Sequence, residues 1–431
     1  LHRITKVAVV SHGCKLNQFE GESLGYSLER RGFRIVGIHD SPDCVVVNTC
    51  TVTNRGDRKS RNTIMRASRV LGEEGLLVVT GCYAQTNPDE LRELGGVGLV
   101  VGQEYKSSIP GMLEKLFRGT SSDTVPERGP FGFIQPLESR RSRIFVKVQD
   151  GCDRACAYCK VPLARGSSKS RDYRDIARTL KEVHEGGYRE VVLTGVNLGS
   201  YHSESLRLPG LLRYLLAETP SNLRLRLSSI EPDCFSESLF DVITDRRIMP
   251  HFHVPLQSGS DRVLRLMSRL YGAAEYLEIM DHIRILRGES HLATDVIVGF
   301  PGENEDDFRK TVDVVREVGF ASLHVFRYSP RQGTAASDME DGVSQCVKTQ
   351  RSASLIALGR SLQYRFRKNF EGTVRPAVLE PRGKGYTGIT DNYIRVELGE
   401  SGPGLARACL PVHIHRVTAD RTEGRLVDPL S

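Results

Sequence analysis

Short apolar runs alternate with longer segments of helical spacing through residues 1–118. "KVAVVSHGC", "DCVVVNTC" and "GLLVVTGC" each read as a buried strand running into a turn. The stretches between them, "NQFEGESLGYSLERRGF" and "RKSRNTIMRASRVLG", carry helix-like spacing. Strand–helix–strand alternation implies an open parallel sheet with helices on its faces.

A Gly-, Pro- and Ser-rich linker is expected over 119–142, and the alternation then resumes over 143–367. "RIFVKVQ", "EVVLTG", "LRLRLSS", "HFHVPLQ", "ATDVIVGF" and "SLHVFRYS" are the strand candidates. Helical segments such as "DYRDIARTLKEVHEGG" and "EDDFRKTVDVVREVG" lie between most of them. Six such units where a full barrel has eight predict a partial, open (β/α)6 barrel. The long helical stretch "SQCVKTQRSASLIALGRSLQYRFRKNF" leads out of it. Residues 368–431 alternate in period two and predict a small all-β barrel of the oligonucleotide-binding kind. The fold class is therefore α/β with a β tail.

Composition adds an ordinary soluble balance, 39% hydrophobic and 26% charged over 431 residues. No apolar run approaches the ~20 residues of a membrane helix. The start "LHRITKVAVV" lacks the pattern of a secretory signal, which points to a cytoplasmic protein with no membrane partner. The net charge of +7 is concentrated in "NRGDRKSRNTIMRASR", "SRRSRIFVK" and "SLQYRFRK". Three basic stretches favour a polyanionic partner. The tail from 369 holds eight basic and eight acidic residues, so RNA binding there needs a local face or stacking, with Tyr386 and Tyr393 as candidates.

Ten cysteines in a cytoplasmic chain point to metal or redox chemistry rather than disulfides. Cys14, Cys50 and Cys82 each end one of the first three strands, about one strand–helix repeat apart. Parallel strands bring them to one carboxyl edge, where open α/β sheets bind ligands. Cys152, Cys156 and Cys159 form C-x3-C-x2-C directly after the first strand of the second domain. Structural zinc wants four ligands, and so usually does a four-iron cluster. Three thiols leave a metal with an open position. Cys44, Cys234, Cys346 and Cys409 are read as structural.

The C-x3-C-x2-C spacing, with Tyr158 before its third cysteine and the barrel pattern behind it, resembles the radical S-adenosylmethionine superfamily. The second triad, in "GCKLNQFE", "VVNTCTVTNRG" and "VVTGCYAQ", together with the β tail, resembles the methylthiotransferases of that superfamily, whose tail is called TRAM. "GCDRACAYCKVPLARG", "VVLTGVNLGSY", "LSSIEP", "VPLQSGSDRVLRLMSR" and "DVIVGFPGE" extend the likeness over nearly the whole chain. His12 and Lys160 depart from the family pattern without removing a ligand.

The resemblance implies two 4Fe–4S clusters, one on Cys152, Cys156, Cys159 and S-adenosylmethionine, the other on Cys14, Cys50 and Cys82. It implies a 5′-deoxyadenosyl radical that takes hydrogen from an unactivated carbon, sulfur from the second cluster, and a methyl group from another S-adenosylmethionine. An external electron donor is implied as well. "GCKLN" resembles the branch acting on N6-threonylcarbamoyladenosine (t6A) 3′ of the anticodon in tRNA. Isopentenyladenosine, a ribosomal protein, and a non-catalytic metal-containing RNA-binding role are the alternatives.

Thr194, Gly195, Asn197, Ser229, Gln257 and Gly299 end later strands and are candidate cofactor contacts. Arg165 and Arg171 are candidates to meet a carboxylate or phosphate. "HFH" over 251–253 is expected to face the barrel interior without a metal. No Ser-His-Asp or paired-carboxylate arrangement is present, and no catalytic side chain is assigned.

Overall fold

The computed structural model describes residues 5–118, 129–138, 141–383, 385–400 and 404–427. The first body is a parallel sheet of β1 (Lys6–Ser11), β2 (Arg34–Ile35), β3 (Cys44–Thr49), β4 (Leu76–Gly81) and β5 (Leu99–Val101). Its order is β2-β1-β3-β4-β5. Every residue of β3 is buried, which is why it reads as a continuous apolar run. Alternate residues serve opposite faces. Val46 and Val78 pack with Leu24 and Leu28 of helix Lys15–Arg30. Val45, Val47 and Val79 pack with Ile64 and Ala67 of helix Asn54–Leu71.

The second body holds the six expected strands, β6 (Ile144–Lys147), β7 (Glu190–Thr194), β8 (Arg224–Leu227), β9 (His251–His253), β10 (His291–Val298) and β11 (Ser322–Arg327). They form two parallel ladders, β6-β7-β8 and β9-β10-β11. A parallel bridge from Leu225 to Ile248 and a 3.0 Å bond from Ile230 N to His253 O join the two. Helices between the strands bury apolar stripes in one continuous core. Helix Glu305–Val318 shows how the local sequence sets its limits. Asn304 and Asp307 close a capping box at its start, and Gly319 at φ +59° ends it.

Helix Gln345–Lys368 leads into a closed barrel of β12 (Val374–Arg382), β13 (Gly385–Thr390), β14 (Arg395–Glu400), β15 (Cys409–Val417) and β16 (Thr422–Leu426). The run "GYTGITDNYIRVEL" is two strands, β13 and β14, separated by a turn. Tyr386 belongs to this barrel's core. Tyr393 docks the barrel on the second body. Its ring lies 4.2 Å from His251, with the guanidinium groups of Arg143 and Arg226 at 5.3 and 5.0 Å. Neither tyrosine is an open stacking platform. Of the expected linker, residues 129–138 are described and carry no helix or strand; the rest, apart from 141 and 142, lies outside the described residues. Among the described residues no helix is long and apolar enough to cross a membrane.

The first two bodies are tied by a buried charge cluster. Glu20, 1% exposed, takes Lys106 from its own domain. From the second body it takes Lys147 at 2.6 Å and Arg165 at 2.9 Å. Asp150 shares Lys147 and Arg165 at 2.7 and 2.9 Å. Burial alone would raise the Glu20 carboxyl, but Arg165, Lys106 and Lys147 hold it well below the usual carboxylate range. Its stabilisation is therefore present above the unfolded carboxyl's ~4.3 and is lost as pH falls through the lower folded value.

Removing one member of such a cluster leaves buried charge unpaired, at a cost of about 3–5 kcal/mol. Glu20→Ala is expected to lower stability by that amount in urea unfolding at pH 7, and to flatten the loss of stability on acidification. A change under about 0.5 kcal/mol, the usual range of a surface substitution, would contradict a structural role for Glu20.

Candidate metal centres and the cavity between them

Both cysteine triads lie at the carboxyl ends of parallel strands. In the first domain, Thr49 pairs with Gly81 on the last rung of β3 and β4. Cys50 and Cys82 are the next residues on each strand. Cys14 occupies the N-cap position of helix Lys15–Arg30, with no side-chain cap bond of its own, so its thiol is left for another use. The Asn17 amide donates to His12 O and Thr49 O, both at 2.8 Å, and ties the two turns together.

Glycine makes this convergence possible. Gly13 and Gly81 both have φ +98°, and each precedes a triad cysteine. A Cβ on Gly13 would lie 2.7 Å from Cys50 Sγ, and one on Gly81 would lie 2.4 Å from Thr49 O. Gly151, before Cys152, repeats the pattern at φ +72°, with Ser167 O at 2.0 Å from its hypothetical Cβ. Three of the six cysteines thus follow a glycine in a left-handed conformation that L side chains disfavour. The repeated Gly-Cys pair was the signal in the sequence for these turns.

Each triad is internally coupled. Cys50 feels the charge of Cys82 and Cys14, and Cys159 that of Cys156 and Cys152. Burial pushes the Cys50 and Cys159 thiols up to about 12. It also raises Cys82 and Cys152. Buried cations oppose this. Arg165 and Lys106 act on Cys82, while the Arg269 guanidinium donates to Cys156 Sγ at 3.2 Å. Arg269 is itself paired with Glu231.

The donor set fits a polynuclear anionic cluster better than zinc. Tetrahedral zinc at ~2.3 Å from each sulfur holds sulfurs about 3.8 Å apart. Each triad offers three thiols, one short of a closed tetrahedral zinc site, while the ligand atoms of His253, Asp295 and His324 lie within 4.8 Å of one another. Thiolates replace thiols on binding, and positive charge is already buried beside both triads.

Helix Val161–Arg165 begins two residues after Cys159 and packs on helix Cys82–Thr86. One short helix thus carries Arg165 from the C-x3-C-x2-C loop to the Cys14, Cys50 and Cys82 triad. Arg165 meets carboxylates, as expected; Arg171 donates to Thr179 Oγ1 at 2.8 Å. Lys160 reaches Asn87 Oδ1 at 3.3 Å, and His12 meets Thr63 Oγ1 at 2.8 Å. Both departures from the family pattern are contacts of the first domain.

A cavity of about 170 Å³ opens beside residues that neighbour one cysteine of each triad. Val52 and Thr53, just after Cys50, form one wall, and Tyr158, just before Cys159, forms part of another. Gln257, Asp295, Ile297 and Phe326 complete most of it. Arg331, also in its wall, crosses to Asp57 and Thr51, each at 2.6 Å. Asp295 is bracketed by His253 at 3.1 Å and His324 at 3.0 Å. Burial would raise its carboxyl, but hydrogen bonds from the two imidazoles hold it low. Sequence reasoning missed this cluster, because its members are spread over three strands.

The expected cofactor contacts lie around the same strand ends. Gln257 adopts φ +64° and lines the cavity. Ser229 Oγ lies 3.4 Å from His253 Nδ1. Asn197 N donates to Gln149 Oε1 at 3.0 Å, while its buried Oδ1 has no hydrogen-bond partner among the described residues. Gly195 N donates to Ser228 Oγ at 3.2 Å, and Thr194 Oγ1 to Val192 O at 3.0 Å. Gly299, at φ +70°, packs on Lys348 and donates to Glu303 at 2.5 Å.

Residues 146–315 match the Radical SAM superfamily, and residues 6–102 match a family described as Uncharacterized protein family UPF0004. The chain is 35% identical over 409 residues to the threonylcarbamoyladenosine tRNA methylthiotransferase MtaB of Bacillus subtilis, covering 90% of this chain and 89% of that protein. It is 37% identical over 400 residues to the MtaB of Aquifex aeolicus, covering 91% and 96%. In fold it is similar to TsrM of Kitasatospora setae, a radical S-adenosylmethionine methyltransferase, with a TM-score of 0.57 at 16% identity, over 78% of this chain and 77% of that one.

Gly151→Ala is expected to lower iron bound at the C-x3-C-x2-C loop after anaerobic reconstitution, with far-UV circular dichroism unchanged. Iron content equal to wild type would contradict the steric role of Gly151.

Proposed function

The chain belongs to the family of threonylcarbamoyladenosine tRNA methylthiotransferases, and we propose that it inserts a methylthio group at C2 of t6A in tRNA. The observation that carries this reading is the pair of three-thiol sites at the carboxyl ends of parallel strands in two adjoining domains, with one cavity walled by the chain just after Cys50 and just before Cys159. A single metal site serves many reactions; two three-thiol sites, each with a neighbouring residue in the wall of one cavity, suit joining a cleaved cofactor to a sulfur donor.

We assign one 4Fe–4S cluster to Cys152, Cys156, Cys159 and S-adenosylmethionine, and a second to Cys14, Cys50 and Cys82. When bound, the first supplies the electron that cleaves S-adenosylmethionine, delivered from an external donor, and the second supplies the sulfur. The chain's own residues bind, orient and exclude water. Arg269, Arg165 and Lys106 keep positive charge beside the thiolates. Val52, Ile297 and Phe326 give the cavity apolar walls against which a purine can lie. Asn197 offers its orphaned Oδ1 to the amino group of the cofactor, and Gln257 and Ser229 flank the same space. Thr194, Gly195 and Gly299 form the turns that hold these groups.

The tRNA backbone is assigned to helix Asn54–Leu71, whose Arg55, Arg58, Lys59, Arg66 and Arg69 are exposed. This helix starts at the cavity wall, so phosphates bound along it lead a nucleotide towards the triads. Cytoplasmic tRNA suits this reading.

Mass spectrometry of tRNA nucleosides from cells lacking the gene is expected to show loss of 2-methylthio-t6A and gain of t6A. Unchanged nucleosides would contradict the substrate. With purified protein, Cys152→Ala is expected to stop S-adenosylmethionine cleavage, whereas Cys50→Ala retains cleavage and stops thiolation. Reconstituted wild type should hold about eight irons and each variant about four, as two four-iron clusters require. Methylthiolation by Cys50→Ala would overturn the assignment of the sulfur donor.

A further inference from the structure

Two sequence motifs, "LSSIEP" and "VPLQSGSDRVLRLMSR", meet beside the C-x3-C-x2-C loop. Glu231 comes from the first and Arg269 ends the second. The Arg269 side chain is 1% exposed, and each of its nitrogens has a partner. Nε donates to Tyr271 Oη at 3.2 Å and Nη2 donates to the Glu231 carboxylate. Nη1 donates to Cys156 Sγ at 3.2 Å and lies 3.5 Å from Tyr158 Oη. Tyr271 Oη in turn donates to the carbonyls of Pro255 and Leu256 at 2.8 and 2.9 Å, just beyond β9. The backbone supports the same approach. Ser268 turns at φ +57°, and Ala157 N donates to Met267 O at 3.0 Å. The cysteine loop is thus strapped to the segment that carries Arg269.

A buried guanidinium with an N–H on a ligand sulfur is a fixed positive charge at that sulfur. Net charge and hydrogen bonds to the sulfurs set the reduction potential of an iron–sulfur site. One-electron reduction adds one negative charge, which a cation at 3.2 Å favours. The Glu231 carboxylate, on the far branch of the same fork, opposes it. Resting on the assignment of a 4Fe–4S cluster to Cys152, Cys156 and Cys159, we propose that Arg269 is a positioning residue that raises the potential of this cluster through Cys156, and that Glu231 limits the rise. The pair thereby sets how strong a one-electron donor the protein needs. Lysine cannot replace the arginine here, because one ammonium cannot reach the sulfur, the carboxylate and Tyr271 along the three directions of the planar fork. The nearby Arg154 takes no part: its guanidinium is held by both Asp233 oxygens at 2.7 Å.

The test is a potentiometric titration with dithionite, read by electron paramagnetic resonance, on full-length protein reconstituted anaerobically with iron and sulfide. A Cys50→Ala background leaves the C-x3-C-x2-C site to be read alone. Arg269→Met is expected to make reduction about tenfold less favourable, a fall of about 59 mV for one electron. Glu231→Gln, which keeps an acceptor for the arginine and removes the charge, is expected to shift the potential upward by a similar amount. Arg269→Lys should fall between Arg269→Met and the unmodified background. Opposite signs are the signature, because a loosened loop would move both variants the same way. An unchanged potential in Arg269→Met, or shifts of the same sign in Arg269→Met and Glu231→Gln, would overturn the proposal. Should Arg269→Met fail to hold iron, Glu231→Gln decides alone, and a potential at or below that of the background overturns it. Failure of the Cys50→Ala background itself to hold a four-iron cluster would instead overturn the cluster assignment, and the proposal with it.

Discussion

The relative placement of the two thiol triads depends on one buried carboxylate. Glu20 gathers Lys106, Lys147 and Arg165, and two of these belong to the second domain. Charges this deep lose hydration and repay it only when every partner is present. The contact therefore acts as an all-or-none clamp between domains. Without it the segments bearing Cys50 and Cys159 would lose the most deeply buried tie between the domains that carry them. The Arg331 contacts to Thr51 and Asp57 close the same interface from the other side of the cavity.

The clamp also serves the chemistry. Arg165 pairs with Glu20 and at the same time acts on Cys14, Cys82 and Cys50. A thiol pushed up to about 12 by burial, as at Cys50, gives up its proton only when a metal and nearby cations favour the thiolate. Interdomain pairing and the electrostatics of the thiol triad thus share one guanidinium. The second domain supplies the parallel device with Arg269 between Glu231 and Cys156.

Much of this was legible in the sequence, and the limits have physical causes. Strands ending in cysteine were visible because fully buried parallel strands leave uninterrupted apolar runs. The six-strand partial barrel followed from its alternation. Glu20 was not legible: in "NQFEGESLG" it looks like one more solvated carboxylate, and its partners lie far along the chain. Lys147, in a stretch read as a basic patch, is 2% exposed; a lysine's burial is decided by the domain that covers it. Tyr393 was offered as a stacking residue, but the barrel uses it to dock on His251. β16 is hard to read from sequence because "TEGRL" is short and carries little β-branched character.

The central proposal is that two iron–sulfur clusters, one on each triad, lie close to the cavity walled by Thr53 and Tyr158. Electron paramagnetic resonance of the fully reduced protein tests it most directly. Clusters beside one small cavity couple magnetically, so the account predicts a broadened, interacting spectrum that becomes simple when either triad is disabled. Two superimposed, independent cluster signals in the wild type, or the signal of one cluster alone, would contradict it.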